Sequence, residues 1–153
     1  MNEYEFNTLI NYIVDRGIKA IHDNTEETSF AVDYVAIFSK NDAEFQDLLA
    51  FARTLGTETD KITGKTGVTI KLYKSIPTKA GVCSFVKIRK PDPTRPQRGA
   101  PDFKIDNYTG FKQKYLQTSG NFTLMVRKDY ELIELKGVDV LVYFPSKLAE
   151  QRV

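Results

Sequence analysis

The chain is poor in several residue types, and each shortage excludes a class of protein. Its single cysteine, Cys83, rules out an intramolecular disulfide and a zinc site built from cysteines. Because Cys83 lies in the apolar run GVCSF, the sequence indicates a small buried side chain rather than a reactive thiol. The single histidine, His22, leaves no second imidazole for a histidine-rich metal site and gives little support to a hydrolytic triad.

An excess of charge and long apolar runs are also missing. The formal net charge of +2 does not mark a general nucleic-acid or membrane binder, so any binding must come from local clusters. No stretch approaches the roughly 20 apolar residues that span a bilayer. The N-terminal segment lacks the basic region and cleavage site of a secretory signal. We therefore expect a cytoplasmic protein with no membrane partner.

Apolar spacing predicts one α+β domain of 153 residues. A helix is predicted over Glu3–Ile21, with a break or kink at Gly17. A strand then runs over Phe30–Phe38, and a helix capped by Ser39 or Asn41 ends at Gly56. Three further strands follow at Thr57–Ile62, Val68–Tyr73 and Val82–Arg89, with turns at Thr63–Gly67 and Pro77–Gly81.

After a proline-rich stretch, Lys90–Pro101, the same order of elements begins again. The predicted elements are a strand at Asp102–Asp106, a helix at Asn107–Leu116, and strands at Phe122–Arg127, Tyr130–Leu135 and Val138–Phe144. The sequence thus predicts an N-terminal helix and connection (1–29), a first βαβββ module (30–90), a linker (91–100), a second βαβββ module (101–145) and a polar, frayed tail (146–153). The two modules are expected to pair in a curved mixed sheet around a central cavity.

This order of elements resembles the vicinal oxygen chelate superfamily of glyoxalases, bleomycin-resistance proteins and extradiol dioxygenases. The segment DYVAIF at Asp33–Phe38 is similar to the opening strand of these proteins, which often reads Asp-His followed by alternating apolar residues. The leading helix and the stretch VTIKLYK…CSFVKIRKPDPTRPQRGAPDFKID are most similar to the uncharacterised YecM-type branch.

The resemblance implies a divalent metal held by His, Glu or Gln on the first and last strands of each module. In this chain Tyr34 stands where the first histidine would be, and Lys87 and Arg89 occupy the last strand of the first module. Cations at these positions repel a metal ion. We therefore expect no metal and no cofactor.

Strand alternation identifies side chains that could face the cavity. If Tyr34 points inward, Ala36 and Phe38 share its face. In the second module either Asp102 and Lys104 point inward or Phe103 does, because a shift of one residue exchanges the faces. Inward charges would be candidates for acid–base chemistry, although charges that line a solvated strand face are the simpler interpretation.

Basic side chains cluster between residues 87 and 98, and arginine matches the geometry of carboxylates and phosphates. We expect a small anionic ligand, with a solvated loop as the alternative. The cluster holds no aromatic residue that could stack on bases, which disfavours a nucleic-acid partner. The predicted ligand-binding residues are Tyr34, Lys87, Arg89, Arg95, Arg98, Asp102, Lys104 and Glu134.

Two other hypotheses stay open. A divalent-metal-dependent lyase, isomerase or dioxygenase could use oxygen ligands from Asp102, Glu134 and Tyr34. An interaction module could use the basic loop and the leading helix to bind a protein or a nucleic acid. The sequence does not decide whether the chain is an enzyme, and it is compatible with a homodimer.

Overall fold

The computed structural model of the chain describes residues 1–59, 65–118 and 120–152. It confirms the α+β class and the N-terminal helix. The helices and strands, in chain order, are α1 Glu3–Asn24, β1 Phe30–Phe38, α2 Asp42–Leu55, β2 Gly56–Thr59, β3 Gly67–Thr78, β4 Gly81–Arg89, β5 Gly99–Ile105, α3 Tyr108–Tyr115, β6 Phe122–Val126, β7 Glu131–Lys136, β8 Leu141–Pro145 and α4 Ala149–Arg152. Parts of the predicted strand 57–62 and turn 63–67 lie outside the described residues.

The eight strands form one open, curved, mixed sheet in the order β2-β3-β4-β1-β5-β8-β7-β6. β1 and β5 pair antiparallel at its centre, and each is parallel to its other neighbour, β4 or β8. We call β1–β4 with α2 the first half of the sheet, and β5–β8 with α3 the second half. In each half the chain order is a strand, a helix and three strands.

Helix α1 begins with a capping box, in which the Asn2 side chain accepts from the Glu5 N–H and the Glu5 side chain accepts from the Asn2 N–H. The helix is continuous through Gly17, so the predicted break at that position is wrong. A Cβ on Gly17 would lie 2.7 Å from the Pro101 side chain and 2.8 Å from Phe103. Glycine therefore serves the close approach of α1 to β5. Among the described residues, no helix is long and apolar enough to cross a membrane.

Helices α1, α2 and α3 cover one face of the sheet and enclose the main hydrophobic core. On β1, Val35 and Ile37 face this core. Tyr34, Ala36 and Phe38 belong to a smaller cluster on the opposite face, which we call the cavity face. This is the alternation expected of a strand with Tyr34 pointing inward.

The register of β5 shows which of its side chains point into the cavity, a choice that strand alternation left open. Asp102 pairs with Tyr34 across the central ladder and is 4 % exposed, whereas Phe103 lies fully buried in the main core. Asp102 therefore belongs to the cavity face and Phe103 to the helix-covered face.

Several boundaries differ from the sequence-based prediction. β3 runs to Thr78, beyond its predicted end at Tyr73 and into the predicted turn at Pro77–Gly81. β5 begins at Gly99, inside the predicted linker, and contains Pro101. Proline has no backbone N–H to donate to a neighbouring strand. The strand can include Pro101 because β5 and β8 pair at Asp102–Tyr143 and at an isolated bridge of Gly99, and not at Pro101. The expected fraying of the tail is wrong for residues 149–152, which form α4 and bury the Arg152 side chain against the cavity face.

Candidate functional site

A cavity of about 730 Å³ lies on the cavity face, between the centre of the sheet and α4. The predicted residues Tyr34, Lys87, Arg89, Arg95 and Asp102 all line it. They come from β1, β4, the connection between β4 and β5, and β5 itself. The strand pairing at the centre of the sheet thus brings together side chains that are far apart in the sequence.

The floor of the cavity is a polar row that runs across four strands. Register places Tyr34 beside Asp102, Asp102 beside Tyr143, and Tyr143 beside Glu134. The Tyr143 hydroxyl donates to Glu134 Oε2 at 3.1 Å, and Tyr34 shares a hydrogen bond of 3.4 Å with Thr69. Burial raises the pKa of Tyr143 to about 12 and also raises the pKa of Tyr34. Both phenols are therefore neutral near pH 7.

Arginines from outside the strands partner the two carboxylates of this row. Arg95 donates to the Tyr143 hydroxyl at 3.1 Å and lies 3.6 Å from Glu134. Arg152 donates to Asp102 Oδ2 at 3.1 Å. Burial nevertheless raises the pKa of Asp102 to about 7, against the lowering influence of Arg152. Asp102 can therefore exchange a proton near neutral pH.

A β-bulge adds a third carboxylate. The pairing of β1 with β5 shifts by one residue between Val32 and Tyr34, so that Asp33 is the extra residue. Asp33 Oδ2 accepts from the Ala149 N–H at 2.7 Å and lies 3.7 Å from the Arg152 guanidinium. The bulge thereby places Asp33 where it anchors α4.

The β4 side of the cavity is basic. Lys87 Nζ donates to Thr66 at 2.7 Å, and Arg89 lies over the Phe38 ring, 4.8 Å from its centroid. Burial lowers the pKa of Lys87 to about 8 and also lowers the pKa of Arg89. The Arg89 guanidinium is 3.7 Å from Asp92, and its buried Nε finds no hydrogen-bond partner among the described residues. This wall therefore carries positive charge that the strands beside it do not neutralise.

Three of the predicted residues do not line the cavity. Arg98 makes a two-pronged ion pair with Glu44 at 2.7 and 3.2 Å, and borders a second cavity of about 670 Å³. Lys104 is exposed on β5. Glu134 ends the polar row of the floor, but it is buried, contacts Arg95 and Tyr143, and does not itself line the cavity.

Sequence reasoning missed several residues of the site, among them Tyr143 and Arg152. Tyr143 faces the cavity from β8, and its position follows from the register of that strand, which alternation alone leaves undetermined. Arg152 lies in a polar tail with no periodic pattern. No pattern in the sequence points to it, because its partners Asp33 and Asp102 are distant in the chain.

The side chains present do not fit the metal that the resemblance implies. On β1, β4, β5 and β8, the residues presented to the cavity include Tyr34, Lys87, Asp102 and Tyr143. Lysine excludes a cation, and Asp102 is partnered by Arg152. No group of three His, Cys, Asp or Glu side chains in the described part of the chain could hold a metal ion. The absence of a metal stays a prediction, which elemental analysis of the purified protein would test.

Comparison with known proteins adds information on the fold. No protein-family model and no curated protein matches the chain. A solved YecM-type structure from structural genomics, described as protein EC4020, superposes with a TM-score of 0.64 over 98% of this chain and 94% of that chain, at 12% sequence identity. At this identity the likeness shows a shared fold and nothing about activity. It supports, at the level of the fold, the resemblance to the YecM-type branch.

Proposed function

We propose that the protein is a metal-independent domain of the vicinal oxygen chelate type, whose two paired βαβββ modules bind a small anionic molecule in their shared cavity. The repeated strand–helix–three-strand order and the central pairing of β1 with β5 support the paired modules. The likeness to a YecM-type structure supports the same fold. A cytoplasmic location and a homodimer stay predictions.

The charge of the cavity lining carries the proposal. Of the described residues that line it, seven are lysine or arginine and two are aspartate, whereas the whole chain carries a formal net charge of only +2. The seven are Lys65, Lys87, Arg89, Arg95, Arg127, Lys147 and Arg152. The cavity volume falls within the roughly 300–1,000 Å³ of small-molecule sites.

The basic wall on β4 is where an anion would gain most. Lys87 and Arg89 lose hydration on burial, and the Arg89 guanidinium has a buried Nε with no partner among the described residues. Both side chains line the cavity, so a carboxylate or phosphate bound there would neutralise their charge. Tyr34 and Phe38 next to this wall provide apolar surface for the body of the ligand.

Isothermal titration of inorganic phosphate and of small carboxylates tests the proposal. Replacing either wall residue, as Lys87→Met or Arg89→Met, should cost about 1.5–3 kcal/mol, or roughly 10- to 150-fold in affinity. Arg53→Ala is the matched control, because it removes one positive charge from an exposed ion pair on α2, away from the cavity. Equal affinities in all variants would refute the proposal.

The interaction module makes a different prediction. If the basic loop binds nucleic acid, duplex DNA or RNA should bind with a steep salt dependence that weakens on Arg95→Ala. Phosphate and carboxylates would then bind no better to the wild-type protein than to the wall variants.

A further inference from the structure

The Arg152 side chain fills a box on the cavity face that the rest of the chain builds. Its guanidinium carbon lies 5.5 Å from the centroid of the Tyr34 ring and 5.3 Å from that of Tyr130. Its Nη2 lies 3.1 Å from Asp102 and 3.7 Å from Asp33. The side chain is only 8 % exposed. The box therefore consists of two aromatic rings and two carboxylates around one planar cation.

The four side chains that form the box come from parts of the chain outside α4, the helix that contains Arg152. Tyr34 and the bulged Asp33 belong to β1, Asp102 to β5, and Tyr130 to the connection between β6 and β7. The occupant comes from α4, which has four residues and is tied to β1 by the hydrogen bond from Ala149 to Asp33. So short a helix has little stability of its own.

Aromatic faces and paired carboxylates recognise a guanidinium group by its chemistry. The planar cation stacks on rings and directs its N–H groups in a fixed fork towards carboxylate oxygens. An ammonium group is a compact, strongly hydrated charge and uses such a box less well. In the box itself one nitrogen, Nη2, makes both carboxylate contacts, and the buried Nε of Arg152 has no hydrogen-bond partner among the described residues. A preference for a guanidinium over an ammonium would therefore come mainly from the two rings.

We propose that this box is a guanidinium-binding site that Arg152 occupies in cis and that a free guanidinium compound can enter in its place. Lys87 pairs with Ala36 on β1, two residues beyond Tyr34, and it lines the same cavity as Asp102 and Arg152, so the basic wall lies close to the box. A guanidino acid such as free arginine could thus place its guanidinium in the box and its carboxylate against that wall. This second contact alone rests on the proposed function.

Titration calorimetry with methylguanidinium and methylammonium tests the site in the full-length chain. A tethered group competes at an effective concentration of about 1 mM, so Arg152→Ala should bind methylguanidinium more tightly than the wild type, by about ten-fold if the empty box binds it with a Kd of about 0.1 mM. Methylammonium should bind the same variant more weakly. Arg16→Ala, which removes another arginine stacked on a tyrosine, is the control and should behave as the wild type. Equal binding of both cations, or no gain on Arg152→Ala, would overturn the proposal.

A measurement on the wild-type protein covers the case in which Arg152→Ala does not fold. In NMR spectra of the arginine side chains, agmatine should shift the Nε–Hε signal of Arg152 before it affects that of Arg16. An Arg152 signal that moves no earlier than the Arg16 signal would refute the guanidinium site. Arginine carries the carboxylate that agmatine lacks. If the two shift Arg152 at equal concentrations, the guanidinium site stands and the anion-binding wall fails.

Discussion

The two halves of the sheet differ in the charged side chains that their strands carry and in how these are paired. In the second half the strands carry the carboxylates Asp102 and Glu134, and each has an arginine partner from a connection or from the tail. In the first half β4 carries Lys87 and Arg89, whose neighbours in the sheet supply no carboxylate at the same level, since Lys87 lies between Thr69 and Ala36. Arg89 has one nearby carboxylate, Asp92 at 3.7 Å on the following connection, and Lys87 has no ion-pair partner among the described residues. Paired charge in the second half indicates a structural role, and the excess of positive charge in the first half indicates a ligand.

Removing the arginine partner of Asp102 in the second half should have the largest effect on the free energy of unfolding. Arg152→Ala leaves Asp102 and Asp33 without their guanidinium partner, which should cost about 3–5 kcal/mol of stability at pH 8. The loss should be smaller at pH 5, because Asp102 then takes up a proton. Arg53→Ala, in an exposed pair with Glu58, should cost less than about 1 kcal/mol in the same urea unfolding experiments. Similar losses for both would remove the distinction between buried and exposed pairs.

The protonation of Asp102 should make the second half sensitive to pH. Its folded pKa of about 7 exceeds its ordinary value of 3.8, so between these values the folded state binds the proton more often. The favourable contribution is complete below about pH 4 and is lost as pH rises through 7, with a total of about 4 kcal/mol. Carboxyl ¹³C NMR should show an Asp102 midpoint near 7. Asp92, whose pKa is lowered by hydrogen bonds from Thr94, is the internal control, and an Asp102 midpoint below that of a free aspartate would contradict this reading.

The linker between the halves contains two arginines with different roles, since Arg95 lines the cavity and Arg98 pairs with Glu44. Arg98→Ala breaks both bonds to Glu44 and one to the Phe38 carbonyl, which should cost about 2–3 kcal/mol. It should leave the affinity for anions unchanged, because Arg98 does not line the main cavity. Unfolding and anion titration on the same protein check both statements. A loss of affinity without a loss of stability would reverse the assignment.

Removing the buried positive charge of Lys87 in the first half should change the free energy of unfolding least, and it should stabilise the protein. Burial lowers the pKa of Lys87 to about 8, so charging it costs stability below that pH, and the cost disappears as pH rises towards 10.5. Lys87→Met should therefore stabilise the protein by about 2 kcal/mol at pH 7, allowing for partial exposure. Lys19→Met, in an exposed pair with Asp23, should change stability little. Destabilisation by Lys87→Met would show that the lysine is matched after all.

The sequence predicted the elements of the first half better than the positions that set the site. The apolar run Phe30–Phe38 has the bounds of β1, because a continuous β-branched and aromatic run of that length suits a buried strand. The face of β5 was undetermined, since alternation has a period of two and either choice satisfies it. The bulge at Asp33 follows from pairing with β5, which no local pattern encodes.

The site residues show the same limit. Lys87 and Arg89 could be predicted because two cations at alternate positions of one strand share a face. Arg95 and Arg98 looked equivalent in a proline-rich loop, and they differ because Glu44, on α2, captures one of them. Arg152 could not be predicted, because the four residues of α4 are too few to show a helical periodicity, and its partners are distant in the chain.

The central ladder also bears on how the molecule folds. It joins Phe30 to Ile105 and Ile37 to Gly99, so its pairs are among the most distant in sequence. Such contacts require the closure of a long loop and slow the folding reaction. The cavity floor thus forms only when the two halves have met, and its amide protons should exchange with solvent through global opening. A ligand that contacts both β1 and β5 would hold the two halves together and would therefore slow unfolding.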